Sequence, residues 1–396
     1  MNNAKKSKLM IVRNTTAVPT DVEQAVLVGR VETVQGPCVC IVRGGEVVDV
    51  TASYPTIAHV LRNAERVQSL LNADSRVMGQ VDEIVANTDP VKRDPCKPHL
   101  LAPIDLQAVK ACGVTFVTSM VERVVEEMAK GDPSKAGEAR AALEAEIGED
   151  LRGIEPGSED AARVKAVLAG RGLWSQYLEV GLGPDVEIFT KAQPMSSVGH
   201  GDQIGLHPSS TWNNPEPEVV LIVSPEGEIV GVTLGNDVNL RDVEGRSALL
   251  LGRAKDNNAS CAVGPFIRLF DDRFTLDDVR SLDLILTVKG SDGYVLEDTS
   301  TMREISRDPQ DLAEQLFDCH QYPDGAALFT GTLFAPTQDR DAPGEGFTHK
   351  VGDVVSIRCD RLGTLTNRVG LSSELSPWSF GAVDLFRSLA ERQIRF

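Results

Sequence analysis

Apolar residues along this chain fall into two textures. Residues 24–51 alternate apolar and polar positions around glycine-containing turns, which predicts short antiparallel strands with Gly44-Gly45 as a hairpin turn. Residues 56–73 and 76–87 carry helical spacing or mixed apolar runs, and the Pro-, Asp- and Lys-rich stretch 87–103 reads as a loop. In 114–131, Val117, Val121, Val124, Val125 and Met128 recur at helical spacing and the pattern stops at Gly131. Two polar, Ala-rich helices are predicted at about 134–148 and 158–170, as a solvated excursion or lid rather than core. From about Gly183, short Val/Ile/Leu runs separated by Gly, Pro, Asn and Asp predict strands at 186–191, 219–224, 228–234, 282–288, 327–331 and 353–359. Helices are expected chiefly near 309–318 and 380–393. The pattern implies a β-rich α+β chain with a small N-terminal α/β domain (1–105), a helical connector or lid (106–182) and a larger C-terminal domain (183–396).

Composition narrows the function. The 396 residues allow two domains or three. With 41% hydrophobic and 25% charged residues, the chain has the balance of a soluble globular protein. Lys plus Arg number 40 against 58 Asp plus Glu, a formal net charge of −18, which disfavours nucleic acid and anionic membrane surfaces as partners. The seven cysteines lack the spacing of a disulfide framework or a zinc site and read as reduced thiols. The apolar part of MNNAKKSKLMIV is too short for a signal sequence or a membrane span, so a cytoplasmic location is expected.

The segment 212–243 carries the chemistry. Glu216 and Glu218 stand two apart at the mouth of VVLIV, and on a strand such residues share a face about 6.6 Å apart. The turn Pro225-Glu226-Gly227-Glu228 and a second apolar run then return Asp237 beside them. Three carboxylates without His or Cys suit a hard ion such as Mg²⁺, with Mn²⁺ or Ca²⁺ as alternatives. By spacing alone, a solvated acidic edge is the ordinary reading of the same residues.

PEPEVVLIVSPEGEIVGVTLGNDVNLRD followed by GRAKDNNASCAVGPFI resembles the metal-site signature of the fumarylacetoacetate hydrolase superfamily. That signature has a Glu-x-Glu pair, an Asp in an Asn-Asp-x-x-x-Arg-Asp context, and a Lys ahead of Gly-Pro. LFTGT and KVGDVVSIRCDRLGTLTNRV are similar to the family's closing segments. The resemblance, over roughly 183–370, implies a mixed β-sheet folded into a roll or pseudo-barrel. It also implies Glu216, Glu218 and Asp237 as metal ligands and Lys255 as an electrostatic stabiliser or proton donor. Lys191 would order the site or hold a substrate carboxylate, and Thr332 would bind that carboxylate through its N–H or hydroxyl. Homodimers or homotetramers are usual in the superfamily.

Hydrolase members carry Asn-Tyr-x-x-His-x-x-Glu, in which His and Glu activate water. Aligned on Thr115-Phe116, this chain has Ser119 at the His position and keeps Glu122. A serine without a base partner cannot replace the imidazole. LLAPIDLQAVKACGVTF, FTKAQPMSSVGHGDQIGLHPSSTWNNPEPE and RAKDNNASCAVGP are instead similar to the superfamily's 2-keto-3-deoxy-D-pentonate dehydratases. That resemblance implies a Mg²⁺-dependent hydro-lyase of pentose catabolism, acting on a small 2-keto acid. It would turn 2-keto-3-deoxypentonate into α-ketoglutaric semialdehyde by losing a C3 proton and the C4 hydroxyl. Glu122 is the candidate base or acid, although its neighbours Glu126 and Glu127 read as solvent-facing. Ser119 and His200 are candidate substrate contacts, His200 for the distal hydroxyls. An acylpyruvate-type C–C hydrolase or a keto-acid decarboxylase is the alternative on the same metal site.

Overall fold

The computed structural model describes residues 17–147, 153–172, 174–332, 334, 338–341 and 346–395. The basic segment 1–12 and Gly148 of the first polar helix lie outside them. The N-terminal part supplies β1 (Leu27–Glu32), β2 (Cys38–Arg43), β3 (Glu46–Asp49), β4 (Arg76–Gln80), β5 (His99–Leu100) and β6 (Ala108–Gly113). Then come β7 (Glu187–Ala192), β8 (Gln203–Leu206), β9 (Asn213–Asn214), β10 (Pro217–Val223), β11 (Ile229–Asp237), β12 (Asn239–Leu240) and β13 (Cys261–Leu269). The last strands are β14 (Asp283–Lys289), β15 (Val295–Thr301), β16 (Ala326–Phe329), β17 (Val354–Cys359) and β18 (Gly363–Leu371).

Two sheets and a short ladder result. The larger sheet has eleven strands in the order β4-β3-β2-β1-β13-β11-β10-β16-β6-β7, with β5 also on β1. The smaller runs β15-β14-β17-β18-β8, and β9 pairs β12. The β16–β6 and β18–β8 pairs are parallel and the remaining pairs antiparallel, so the sheets are mixed. Both strand orders are open, and no closed barrel forms among the described residues.

The expected division at 105 and 182 does not follow breaks in the sheet. β1 pairs β13, and β6, inside the expected connector, lies beside β16. The N-terminal strands extend the C-terminal sheet because β13 needs a hydrogen-bonding neighbour on each side. The Gly44-Gly45 hairpin is as expected, with Arg43 opposite Glu46 and glycine φ values of 58° and 79°. Two positive φ angles in succession are what a two-residue hairpin turn demands.

β10 explains the unbroken run VVLIV. Val219, Leu221 and Val223 pack in a core facing the second sheet, while Val220 and Ile222 pack on the other side with Ile57, Val60 and Leu61. A strand buried on both faces carries apolar residues at every position. The first helices are shorter than the sequence pattern suggests. α1 (Ile57–Arg62) and α2 (Arg66–Leu71) are separated where Asn63 turns extended, and 76–87 splits into β4 and α3 (Val81–Ala86).

A helical layer follows β6, made of α4 (Val117–Ala129), α5 (Ala136–Ile147), α6 (Glu159–Gly170) and α7 (Gln176–Leu182). Ala136, Ala139, Ala161 and Leu168 of α5 and α6 are buried with Met120, Val124, Val125 and Trp212. The two polar helices thus have a small core of their own. Met128, expected on the apolar stripe of α4, is 45% exposed, whereas Glu122 and Glu126 are buried. The remaining helices are α8 (Arg241–Glu244), α9 (Leu251–Lys255), α10 (Leu276–Val279), α11 (Pro309–Phe317) and α12 (Ala382–Glu391).

His99 and His200 are both 9% exposed, and burial lowers each imidazole from the ordinary range to about 4. His200 Nδ1 accepts the Thr366 N–H at 3.3 Å, which fixes that nitrogen as unprotonated. As pH falls below about 6.5 the unfolded chain binds protons at these residues first, so stability declines from there toward pH 4. The His200 share is on the order of 3 kcal/mol. His200→Gln is therefore expected to flatten the fall in unfolding free energy between pH 6.5 and 4, as read by denaturant melts. An unchanged slope would show that His200 is not a proton-linked core residue.

Candidate metal and catalytic site

The hairpin of β10 and β11 builds the centre of the site. Pro217 stands opposite Asn236 and Glu218 opposite Gly235, and Asp237 N donates to Glu216 O at 2.9 Å. Glu216, Glu218 and Asp237 therefore project from one face. Each offers an oxygen within 4.8 Å of the others, and all three are buried, at 3%, 2% and 1% exposure. Together they carry the charge of three carboxylates in a region without water to screen it.

Cations from distant segments compensate. Lys255, at the end of α9, donates to Glu216 Oε2 and, at 3.1 Å, to Asp237 Oδ2. Lys191, fully buried on β7, lies 2.8 Å from Asp237 Oδ1 and donates to the carbonyls of Val238 and Lys255. Arg123 of α4 holds Glu216 Oε1 and reaches Glu126 at 2.7 Å and Glu244 at 3.0 Å. Burial pushes the Asp237 carboxyl up, but Lys191 and Lys255 outweigh it and hold the group below its usual value. Burial lowers Lys255, yet the charges of Asp237, Glu216 and Glu244 raise it above the normal lysine range.

Glu218 is the exception. Burial, then the charges of Asp237 and Glu216, push it well above the carboxylate range. Its hydrogen bond comes from the Gly331 N–H at 2.6 Å. Gly331 has φ +90°, and a Cβ there would meet Thr115 Oγ1 at 2.1 Å, so only glycine delivers that N–H. Thr115 in turn donates to Thr330 O at 2.6 Å, fastening the turn to the start of α4.

This donor set fits a hard divalent ion. It is all carboxylate, buried and convergent, and burial and the neighbouring charges push one member, Glu218, toward its neutral form, a penalty that a cation would relieve. The 4.8 Å spread is close to the roughly 4.2 Å that separates oxygens on opposite sides of a Mg²⁺ ion. Glu216, Glu218 and Asp237 would hold the ion, as expected from the sequence.

The other sequence-derived candidates divide. Lys191 is turned toward the site's own framework, for its ammonium donates to Val238 O and Lys255 O and forms an ion pair with Asp237 at 2.8 Å. Lys255 commits two donors and keeps one, with its Nζ 5.7 Å from the centroid of the Phe189 ring. Thr332 spends its hydroxyl on Pro217 O, at 3.0 Å, and on the Phe334 N–H. Its own N–H is the group left to meet a carboxylate.

Glu122, Ser119 and His200 are not gathered at the triad. Glu122 accepts both arms of Arg140, at 2.9 and 2.8 Å, and Arg241 at 3.2 Å. A carboxylate clamped by two guanidiniums is a poor proton carrier. Ser119 donates to Phe116 O at 2.9 Å, one turn back on its own helix. His200 packs on β18 through Thr366, so the expected contact with distal hydroxyls is replaced by a core role. Glu126, read as solvent-facing, is buried between Arg123 and Arg241.

Two residues that the sequence reading passed over enter the site. Arg123 follows Glu122 directly, but nothing local marks it as the residue that reaches Glu216, 93 positions away. Glu187 opens β7, whose alternation puts it on the same face as Phe189 and Lys191. Burial raises its carboxyl, with Arg123 and Lys255 opposing the rise and Asp237 and Glu216 adding to it. It has no ion-pair partner among the described residues. Its period-two relation to Lys191 was the available signal.

Known proteins place this architecture. Residues 175–370 match the fumarylacetoacetate (FAA) hydrolase C-terminal family. Over 193 residues the chain is 33% identical to a protein of Haloferax volcanii named "Probable 2-keto-3-deoxyxylonate dehydratase", covering 49% of this chain and 63% of that one. Over 183 residues it is 32% identical to the 2-dehydro-3-deoxy-D-arabinonate dehydratase of Saccharolobus solfataricus, covering 46% and 58%. The chain thus spans about three-fifths of the length of these curated relatives. Among solved structures, a 2-keto-3-deoxy-D-arabinonate dehydratase complexed with magnesium and 2,5-dioxopentanoate superposes with TM-score 0.61 at 21% identity, covering 87% of this chain and 99% of the other. The fumarylacetoacetate hydrolase of Exiguobacterium antarcticum gives 0.56 at 17% identity, covering 88% and 100%. These likenesses share the fold. Residues 175–370, which contain the three carboxylates, Lys191, Lys255 and Gly331, thus form a C-terminal domain of the fumarylacetoacetate hydrolase family.

Proposed function

We propose that the protein is a Mg²⁺-dependent hydro-lyase that removes water from a 2-keto-3-deoxypentonate and yields α-ketoglutaric semialdehyde. The observation that carries this is a buried three-carboxylate site with lysines beside it and, among the described residues, no histidine in contact to activate water, in a chain similar to two pentonate dehydratases. Bound there, the ion would act as a Lewis acid toward the keto acid end of the substrate.

The residues divide the remaining work. The Thr332 N–H takes the substrate carboxylate, and the uncommitted donor of Lys255 faces the charge that develops on the C2 oxygen as C3 loses its proton. Glu187 is the proton carrier in place of Glu122, since its carboxyl is raised by burial and not clamped by guanidinium. It takes the C3 proton and returns it to the C4 hydroxyl, which leaves as water when the C4–O bond breaks. Loss of a C5 proton and its return at C3 then gives a C4–C5 enol, which becomes the aldehyde as its hydroxyl proton moves to C4. Lys191 and Arg123 position Asp237 and Glu216.

We place the protein in the cytoplasm, in line with seven free cysteines, and as a homodimer or homotetramer, in line with the family resemblance. Among the described residues no helix is long and apolar enough to cross a membrane.

With Mg²⁺ and 2-keto-3-deoxypentonate, the semialdehyde should appear in an assay coupled to an NAD(P)⁺-dependent aldehyde dehydrogenase, and EDTA should abolish it. Release of pyruvate instead would sink the dehydratase reading. Glu218→Gln is expected to weaken Mg²⁺ binding at least tenfold in calorimetric titration. In EDTA its melting temperature should hold or rise, because a repelled buried carboxylate has been neutralised. Unchanged Mg²⁺ affinity would remove Glu218 from the site. Glu187→Gln should lower kcat by roughly 10²–10⁴ with Mg²⁺ affinity intact, and normal turnover would return the proton carrier to another residue.

A further inference from the structure

The alignment that builds the triad runs on past it. From Glu218 opposite Gly235, through Pro217 opposite Asn236, the pairing reaches Asn214 opposite Asn239 and Asn213 opposite Leu240 without a shift of register. Side chains alternate along both segments, so Asn214 and Asn239 share the face of Glu216, Glu218 and Asp237. Their rung lies about 6.6 Å beyond that of Glu216 and Asp237. One rung further, the Arg241 guanidinium stacks 4.2 Å from the Trp212 ring. α4 covers the row, with Arg123 on Glu216 and Glu122 and Glu126 on Arg241.

The rung of amides is unsatisfied. Asn239 is fully buried, yet neither its Oδ1 nor its Nδ2 has a hydrogen-bond partner among the described residues. Asn214, 3% exposed, gives Nδ2 to the Pro215 carbonyl at 2.9 Å and leaves Oδ1 without a partner. Each such group costs about 1–3 kcal/mol when nothing meets it, whereas an apolar side chain of similar size would incur no such cost. The arrangement is explained by a polar guest in the folded site.

We infer that Asn239 and Asn214 form a hydroxyl-reading subsite beside the metal-binding carboxylates, and that it selects keto acids hydroxylated beyond C3. The inference rests on the proposed function for the end of the ligand held at the triad. An amide offers both a donor and an acceptor, which is what an alcohol needs. Two unpartnered carbonyl oxygens against one free amide donor group disfavour a second carboxylate, so a dicarboxylic keto acid is disfavoured at this position. A site built to hydrogen-bond a hydroxyl also rejects the analogue lacking it, because the polar groups are then left unpaired.

The test uses two inert ligands that chelate alike but differ at the far end, 2-hydroxypentanoate and 2,4,5-trihydroxypentanoate, titrated calorimetrically into the full-length Mg²⁺-loaded protein. Wild type should bind the trihydroxy acid at least tenfold more tightly, as expected for two modest hydrogen bonds. Asn239→Ala, and separately Asn214→Ala, should lose most of that preference. Affinity for 2-hydroxypentanoate and for Mg²⁺ should stay within twofold, and the melting temperature of Asn239→Ala should not fall. A preference that survives both substitutions overturns the subsite, as does an equal loss for both ligands, which marks a structural role or a buried water only. Preference without any dehydratase turnover supports the subsite while removing the proposed reaction. Failure of wild type to bind either acid overturns both.

Discussion

Three carboxylates buried together are the constraint around which the rest of the molecule is arranged. Left alone, Glu216, Glu218 and Asp237 would take up protons or unfold the hairpin that carries them, because desolvation and mutual repulsion act in the same direction. The chain answers with Lys191 from β7, Lys255 from α9 and Arg123 from α4, so three elements are fastened to the hairpin by charge. Removing one partner of such a pair costs about 3–5 kcal/mol, since the other is left buried and unpaired. The site is thus a structural keystone before it is a chemical one.

The two lysines show how similar residues acquire different duties. Both are buried ammonium groups near Asp237, yet Lys191 spends its hydrogen bonds on two backbone carbonyls, while Lys255 spends its two on the carboxylates of Glu216 and Asp237. Hydrogen-bond arithmetic, rather than proximity, separates the positioning group from the one able to meet a substrate. The same arithmetic leaves Glu187, half-buried and without a cationic clamp, as the carboxyl that can exchange a proton.

Much of the centre could be read in the sequence because it is local. Glu-x-Glu, the turn after it and the returning Asp lie on one hairpin, so period-two alternation alone places three ligands on one face. The apolar runs likewise marked β10, β11, β14 and β17. What could not be read is long-range. Arg123 comes from a helix 93 residues before Glu216, and the apolar stripe, which places Val117, Val121, Val124 and Val125 correctly, gives no sign that α4 also buries Glu122 and Glu126 paired with arginines. Ser119 and Glu122 were chosen by alignment to a motif and His200 from a glycine-rich segment, and each is engaged by its own neighbourhood. Sheet pairing crosses the expected domain limits for a related reason. Texture along the chain reports local structure, while sheet order is a property of pairing, and β1 pairs with a strand more than 200 residues away.

That pairing bears on what counts as a unit of this fold. The region matched by the family, 175–370, carries the three carboxylates, but β13 leans on β1 and β16 leans on β6, and both neighbours lie outside it. Cut at those limits, the sheet would present two raw edges, one beside the buried Phe266 and Ile267 and the other beside Leu328 and Phe329. Apolar edges of that kind recruit strands from other molecules. The preceding strands thus cover the edges of the sheet that carries the three carboxylates.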